Sequence, residues 1–376
     1  SVTYTSSDET VAKVDEDGKV TIVGAGITTI KAKASETADF EEKEISYTLT
    51  VKPKTLAKDD LTYSGSITKV YDGSDSAPTG LSISVKPTSL VGTDPLAVTG
   101  TLKYNSANVN EANKITFTPD AITTGNYRLA ATEVLTITDA KITAKDVKLT
   151  GGINATDRSY VKDNKTVDLT KGTLTFDGLV GSETLDVNIP ATGTISDAKV
   201  GAYNVTYSGV TLADGTGKAS NYKLVSPLPP VTVNITKATA PAPADIPVSQ
   251  KYTVTTAQSK DIGRAGMPED AGNLTYTVGS ASKTGSVTVT SWNVDTTGKV
   301  TYTLSGGAAG DTVTLPVTIG SDNYADATVN VVITLTAKEN QAALTLTGGT
   351  TVVYGQTLQL GTTGGTGTGA VTYTVT

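Results

Sequence analysis

Four aspartates, two lysines and an asparagine are the side chains whose types and spacing could do chemistry. Asp15 and Asp17 lie in one turn, and Asp72 and Asp75 in another. Alternate acids of this kind can gather calcium, the one metal that suits an oxygen-only ligand set. Neither turn carries a full calcium loop with a bidentate acid at the proper spacing, and both read more simply as Asx turns at solvated hairpin ends. A second chemistry is an intramolecular isopeptide bond, in which a lysine amine replaces the carboxamide nitrogen of an asparagine and ammonia leaves. It demands a buried lysine and asparagine on adjacent strands with an acid beside them; Lys69 or Lys141 with Asn126, and Asp72 as the acid, form the trio to test. The plainer reading concerns Asn126-Tyr127 and Asn221-Tyr222. There the asparagine bonds the backbone at a turn, and the tyrosine packs inward as the corner residue of a Greek-key sandwich.

Other chemistries are limited by what is missing. With 0 Cys and 0 His, the thiol-based metal and redox sites, the disulfide framework and the commonest general base are all absent. Serine or threonine hydrolysis would need Lys or a carboxylate as base, and no Ser-x-x-Lys or Gly-x-Ser-x-Gly stands in a strand–turn–helix setting. A glycosidase needs only two carboxylates, but small β units with few aromatics leave little room for a cleft. No enzymatic activity and no cofactor are expected. The net charge of −7 disfavours nucleic acid and anionic membrane surfaces. No apolar run approaches the ~18 residues of a membrane span. A glycan or host glycoprotein remains the open class of partner, although the one tryptophan, Trp292, sits in an alternating strand and reads as core. A monomer is expected.

The elements that would position these residues are strands. Hydrophobic residues make up 37% of 376, low for one large core but enough for several small sandwiches. Val, Ile, Thr and Tyr suit pleated, half-buried surfaces, and helix-favouring runs are nearly absent. Lys69-Val70-Tyr71-Asp72-Gly73-Ser74 opens one unit, and Gly125-Asn126-Tyr127-Arg128-Leu129 lies near its end. A worn copy runs from Lys162-Asp163-Asn164-Lys165 to Ser220-Asn221-Tyr222-Lys223-Leu224. Between these, Val91-Gly92-Thr93-Asp94-Pro95-Leu96 is echoed by Val180-Gly181-Ser182-Glu183-Thr184-Leu185. The copy reads as having lost the Tyr and Gly of Tyr71-Asp72-Gly73, with Asn164 supplying the tolerance of positive φ. A repeat of roughly 90 residues is too long for a solenoid and fits a string of small domains.

Residues 1–53 hold Ser6-Ser7-Asp8, Val11-Ala12-Lys13-Val14, Asp17-Gly18-Lys19-Val20 and Gly26-Ile27-Thr28-Thr29-Ile30. This pattern resembles the Big2-type bacterial Ig-like domain, whose first strands would then precede residue 1. The units 54–144 and 145–238 resemble the YDG or MBG-type modules of large bacterial surface proteins, named for the Tyr-Asp-Gly seen at Tyr71-Asp72-Gly73. Residues 239–337, which open on the Ala-Pro-Ala-Pro-Ala-Asp-Ile-Pro linker at 240–247, read as a further Ig-like β domain that carries Asn323-Tyr324, and 338–376 as the start of another repeat. The expected fold is all-β, an elongated string of Ig-like sandwiches, with a β-grasp-like mixed fold as the alternative for the YDG-type units. The resemblance implies a non-catalytic stalk of a secreted or wall-attached protein that holds a distal adhesive or enzymatic module away from the cell. Its rivals are an adhesin or mucin-binding repeat region, and an accessory region of an exported glycosidase.

Overall fold

The computed structural model describes residues 1–376 and contains strands β-paired throughout, four single-turn 3-10 segments and no α-helix. The all-β class expected from the composition is the class observed. The chain divides into two compact units. The first holds Ser1–Asn154, Asp168–Gly193 and Tyr207–Val231; the second holds Ala155–Val167, Thr194–Thr206 and Thr232–Thr376. Residues 145–238 therefore contribute strands to both.

In the first unit, the strands Val2–Ser6, Gly26–Ala34 and Lys43–Val51 form an antiparallel sheet with Gly26–Ala34 in the middle. A hairpin of Ala12–Val14 and Val20–Ile22 lies beside it, closed by an Asx turn in which Asp15 accepts the N–H groups of Asp17 and Lys19. Ile30 is buried, whereas Ile27, Ile45 and Tyr47 point outward. Beyond residue 53, Gly100–Tyr104, Lys114–Pro119 and Leu135–Thr138 form a second antiparallel sheet. Alternate residues of Lys114–Pro119 enter the core, Ile115 and Phe117 among them, as the two-residue period of a strand requires. Two parallel pairings complete this part. Lys54–Leu56 runs beside Tyr127–Leu129, and Thr68–Val70 runs beside Lys141–Thr143.

That pairing scheme recurs. Lys145–Val147 runs parallel to Tyr222–Leu224, again joining an opening stretch to the strand that begins with the motif tyrosine. In the second unit, Arg158–Ser159 is parallel to Ile235–Thr236, the counterpart of Thr68–Val70 beside Lys141–Thr143. Further on, Ala238 bridges in parallel to Tyr324, and Ile246–Lys251 lies parallel to Val331–Thr336. Residues 238–336 thus repeat the arrangement although little of the sequence motif survives there.

The second unit's core is formed by Thr312–Ser321 and Ala327–Thr336, antiparallel neighbours whose alternate residues are buried. Val313, Leu315, Val317 and Ile319 face Val329, Val331, Ile333 and Leu335 in one apolar cluster. Each such side chain contributes about 1.5–3 kcal/mol when fully buried. Lys299–Ser305 sits between Gln258–Asp261 and Thr288–Val294 in a second sheet. Trp292 is half-buried and packs against the same cluster. At the C-terminal end, Leu344–Thr347 pairs with Gly361–Gly364. Thr351–Leu358 forms no strand, because a turn at Val353–Gln356 interrupts it and no sheet partner lies alongside.

Candidate functional site

The motif tyrosines are positioned by their strand pairing. Tyr127 and Tyr222 each begin a three-residue strand whose parallel partner is the opening stretch of the same segment, and both rings are buried. The Tyr127 hydroxyl accepts the N–H of Val91 at 2.7 Å and donates to Asp94 at 3.3 Å. The Tyr222 hydroxyl accepts the N–H of Val180 at 3.0 Å and donates to Glu183 Oε2 at 2.6 Å. The echoed Val-Gly-x-acid sequence is thus one turn. It closes through Asp94 N–H to the Val91 carbonyl in the first case and Glu183 N–H to the Val180 carbonyl in the second. Donor and acceptor are thereby presented together to one hydroxyl.

Glu183 has a second tyrosine on its other oxygen. Tyr71 donates to Oε1 at 2.6 Å, and the Tyr71 and Tyr222 rings meet edge to face with centroids 5.4 Å apart at 77°. A second cluster of the same make lies in the other unit. Tyr160 and Tyr324 both donate to Asp270 Oδ2, at 3.0 and 3.2 Å, with their rings 5.6 Å apart at 75°. Tyr160 therefore stands where Tyr71 stands. The N–H of Tyr71 bonds the Thr143 carbonyl and that of Tyr160 bonds the Thr236 carbonyl, each at the end of an equivalent parallel pairing.

The sequence reading that the copy lost its tyrosine is corrected by this register. So is the role given to Asn164: the left-handed residue is Asp163, at φ 57°. Asn164 instead accepts the N–H of Thr166, the Asx turn that Asp72 makes with Ser74. The motif tyrosine survived, but the turn after it is longer.

The asparagines reach far along the chain. Asn126 Oδ1 accepts the N–H of Ala25 at 2.8 Å, Asn221 Oδ1 that of Val109 at 2.9 Å, and Asn323 Oδ1 that of Val200 at 3.4 Å. Asn221 also donates to Asn108, and Asn323 to the Asp270 carbonyl. Beside Asn221, Lys218 pairs with Glu111 at 2.7 Å. Lys218, Asn108 and Ser106 together hold the Glu111 carboxyl down to about 2.

Burial, and then hydrogen bonding to a carboxylate, pushes the Tyr71 and Tyr160 hydroxyls up to about 12. The same causes raise Tyr222. Burial works against ionisation of Asp270, but hydrogen bonds led by that from Tyr160 outweigh it and lower its pKa. A phenol held so far above neutral pH is a poor proton shuttle, so the arrangement is suited to fastening rather than to acid–base work.

The other candidate residues lie apart. Lys69, whose side chain is only 10% exposed, donates to Asp72 at 2.7 Å and to Ser74. It also lies 5.7 Å from the centre of the Tyr104 ring. Lys141 is exposed on the strand beside Thr68. Asn126 is engaged with Ala25, so the lysines, Asn126 and Asp72 are not brought together as a trio. Asp75 pairs with Lys103 at 3.3 Å rather than with Asp72. Asp15 is spent on its own turn, and Asp17 is exposed beside it. No group of three or more acids is gathered in a way that could hold a metal ion. The Glu183 and Asp270 clusters, with Tyr160, went unread in the sequence. The echo around Asp94 and Glu183 was visible there, but nothing local links either acid to a tyrosine so far along the chain.

A family model of the YDG domain matches residues 50–134, and one of the intimin immunoglobulin-like domain matches residues 1–36. No curated protein matches the chain. Among solved structures, the protocadherin GammaB4 extracellular domain is 10% identical over 88% of this chain, with a TM-score of 0.24. This chain spans 61% of that one's length. Domains 4–9 of the surface layer protein SbsC are 16% identical over 96% of this chain and 62% of theirs, with a TM-score of 0.19. Mouse cadherin-23 EC22-24 is 15% identical over 90% of this chain and 86% of its own, with a TM-score of 0.21.

Proposed function

We propose that this chain is a non-catalytic structural segment of a large bacterial surface protein, a tandem run of β modules that spaces a distal adhesive or enzymatic part from the cell. The modules are a Big2-like Ig domain at 1–53, YDG-type repeats at 54–144 and 145–238, an Ig-like domain at 239–337 and the opening of another at 338–376. The observation that carries the reading is where the recurring side chains go. The motif Asn of each module engages the preceding one, since Asn126 bonds Ala25, Asn221 bonds Val109 and Asn323 bonds Val200, and in two of the three modules the motif acid does so too, Glu183 bonding Tyr71 and Asp270 bonding Tyr160. Residues repeated in order to join modules are what a spacer needs. A ligand site has no such requirement. The YDG and intimin Ig-like matches support a place outside the cell, without assigning a ligand.

The test is binding of the intact 376-residue chain to an array of bacterial, host and dietary glycans and to mucin. A spacer binds none of them above the background of an unrelated acidic β protein. Saturable binding to one class would replace this reading with the adhesin one.

A further inference from the structure

The two tyrosine–carboxylate clusters and the one incomplete cluster differ in a way that bears on mechanics. At the Tyr71–Glu183–Tyr222 cluster, a carboxylate is held on both oxygens by tyrosines from either side, and the rings are in edge contact. The asparagine next to it is buried and bonded at both ends of its amide, and Lys218 pairs with Glu111. Gly73 adds a close approach, since a Cβ there would lie 3.0 Å from Val180 Cγ1. The apolar core is also continuous, with Tyr71, Tyr104, Val147, Leu185 and Tyr222 in one cluster. The Tyr160–Asp270–Tyr324 cluster repeats the two-tyrosine clamp and the asparagine bond.

Between residues 1–53 and 54–144 the corresponding parts are thinner. Asp94 receives only Tyr127, at 3.3 Å, and no tyrosine of the N-terminal segment reaches it. The Asn126 contact is exposed, and Asp94 and Tyr127 line an open cavity together with Val23 and Lys54.

Taking the modular reading above as its basis, we propose that the Tyr–carboxylate–Tyr cluster is a docking lock. The surface around Tyr71 and Val109 recognises a following β module that presents Val-Gly-x-acid and Asn-Tyr, and the surface around Tyr160 and Val200 does so with Asp270 and Asn323-Tyr324. The joint at Ala25 and Asn126, which has the acid and the Asn-Tyr but no second tyrosine, is the compliant one. Stiffness along the chain is thus set by whether the preceding module supplies a tyrosine.

The chain has 0 cysteines, so spin labels can be placed at will. Two doubly labelled full-length chains carry the test, Thr101→Cys with Thr173→Cys across the locked joint, and Lys13→Cys with Thr101→Cys across the other; all three sites are exposed. Pulsed electron–electron distance measurements should give a distribution at least twofold narrower for the first pair. Tyr71→Phe or Glu183→Gln should broaden the first pair to about the width of the second and leave the second unchanged. Equal widths in the parent chain, or no broadening in either variant, overturn the proposal.

Amide exchange separates loss of the lock from loss of the fold. Opening of the joint frees the Val109 amide alone, whereas unfolding of 54–144 also frees Phe117, inside the sheet. If Tyr71→Phe frees both, Glu183→Gln decides the matter, because it alters no residue of 54–144. Glycan binding in the array above would sink the spacer reading and leave these widths untouched; equal widths would sink the lock and leave the array blank.

Discussion

A buried asparagine side chain carries two donors and one accepting oxygen, and removing it strands whatever it served. Asn221 is 1% exposed and holds the Val109 N–H on one side and Asn108 on the other. Asn221→Ala should therefore cost about 1–3 kcal/mol, the desolvation penalty of an unpaired buried group. Asn126→Ala removes an equivalent bond to Ala25 at an exposed site, where water can replace the carboxamide, and should cost less than half as much. Urea unfolding of the two variants side by side measures the difference; equal losses would mean that burial is not what makes Asn221 matter.

At the scale of the element, the Tyr71-Asp72-Gly73 turn shows which part of a motif is local and which is not. Gly73 sits at φ 81°, which an L side chain enters at a cost of about 1–2 kcal/mol. Gly80 has φ 88° but nothing within 4 Å of a Cβ, whereas Gly73 faces Val180. Gly73→Ala should thus lower the thermal midpoint more than Gly80→Ala, the excess reporting the contact with Val180. Strand packing gives a second prediction. Leu315 is fully buried in the cluster against which the only tryptophan packs. Leu315→Ala should destabilise by about 2–5 kcal/mol. Trp292 fluorescence should follow that loss, while exchange at the Val109 amide, bonded to Asn221 beside a separate core cluster, should not change.

Over the whole molecule, the tyrosine clusters predict alkaline lability. Tyr71 and Tyr160 titrate near 12 in the folded chain against an ordinary 10.0. The folded state holds these protons more tightly than the unfolded one, so the stabilisation is complete below pH 10 and is lost as pH rises through about 12. The thermal midpoint should stay level to about pH 10 and then fall, with tyrosinate absorbance appearing in step. In Tyr71→Phe the fall should be shallower. A midpoint indifferent to pH between 10 and 12 would show that the hydroxyl–carboxylate bonds contribute nothing to stability.

The sequence by itself determined the all-β class, the alternation that buries Val313, Leu315, Val317 and Ile319, and the turn chemistry at Asp15 and Asp72. These depend on residues within a few positions of one another, where a period of two and the reach of an Asx side chain decide the outcome. The recurrence of Asn-Tyr and of Val-Gly-x-acid was legible as well, but its purpose was not. Tyr71 meets Glu183, and Asn221 meets Val109, across more than a hundred residues. Tyr160 was hidden because a longer turn had shifted it out of the motif's spacing. Only the parallel pairing of Arg158–Ser159 with Ile235–Thr236 restores it to the place of Tyr71. Strand register between distant segments follows from packing and backbone pairing together, and no local spacing encodes it.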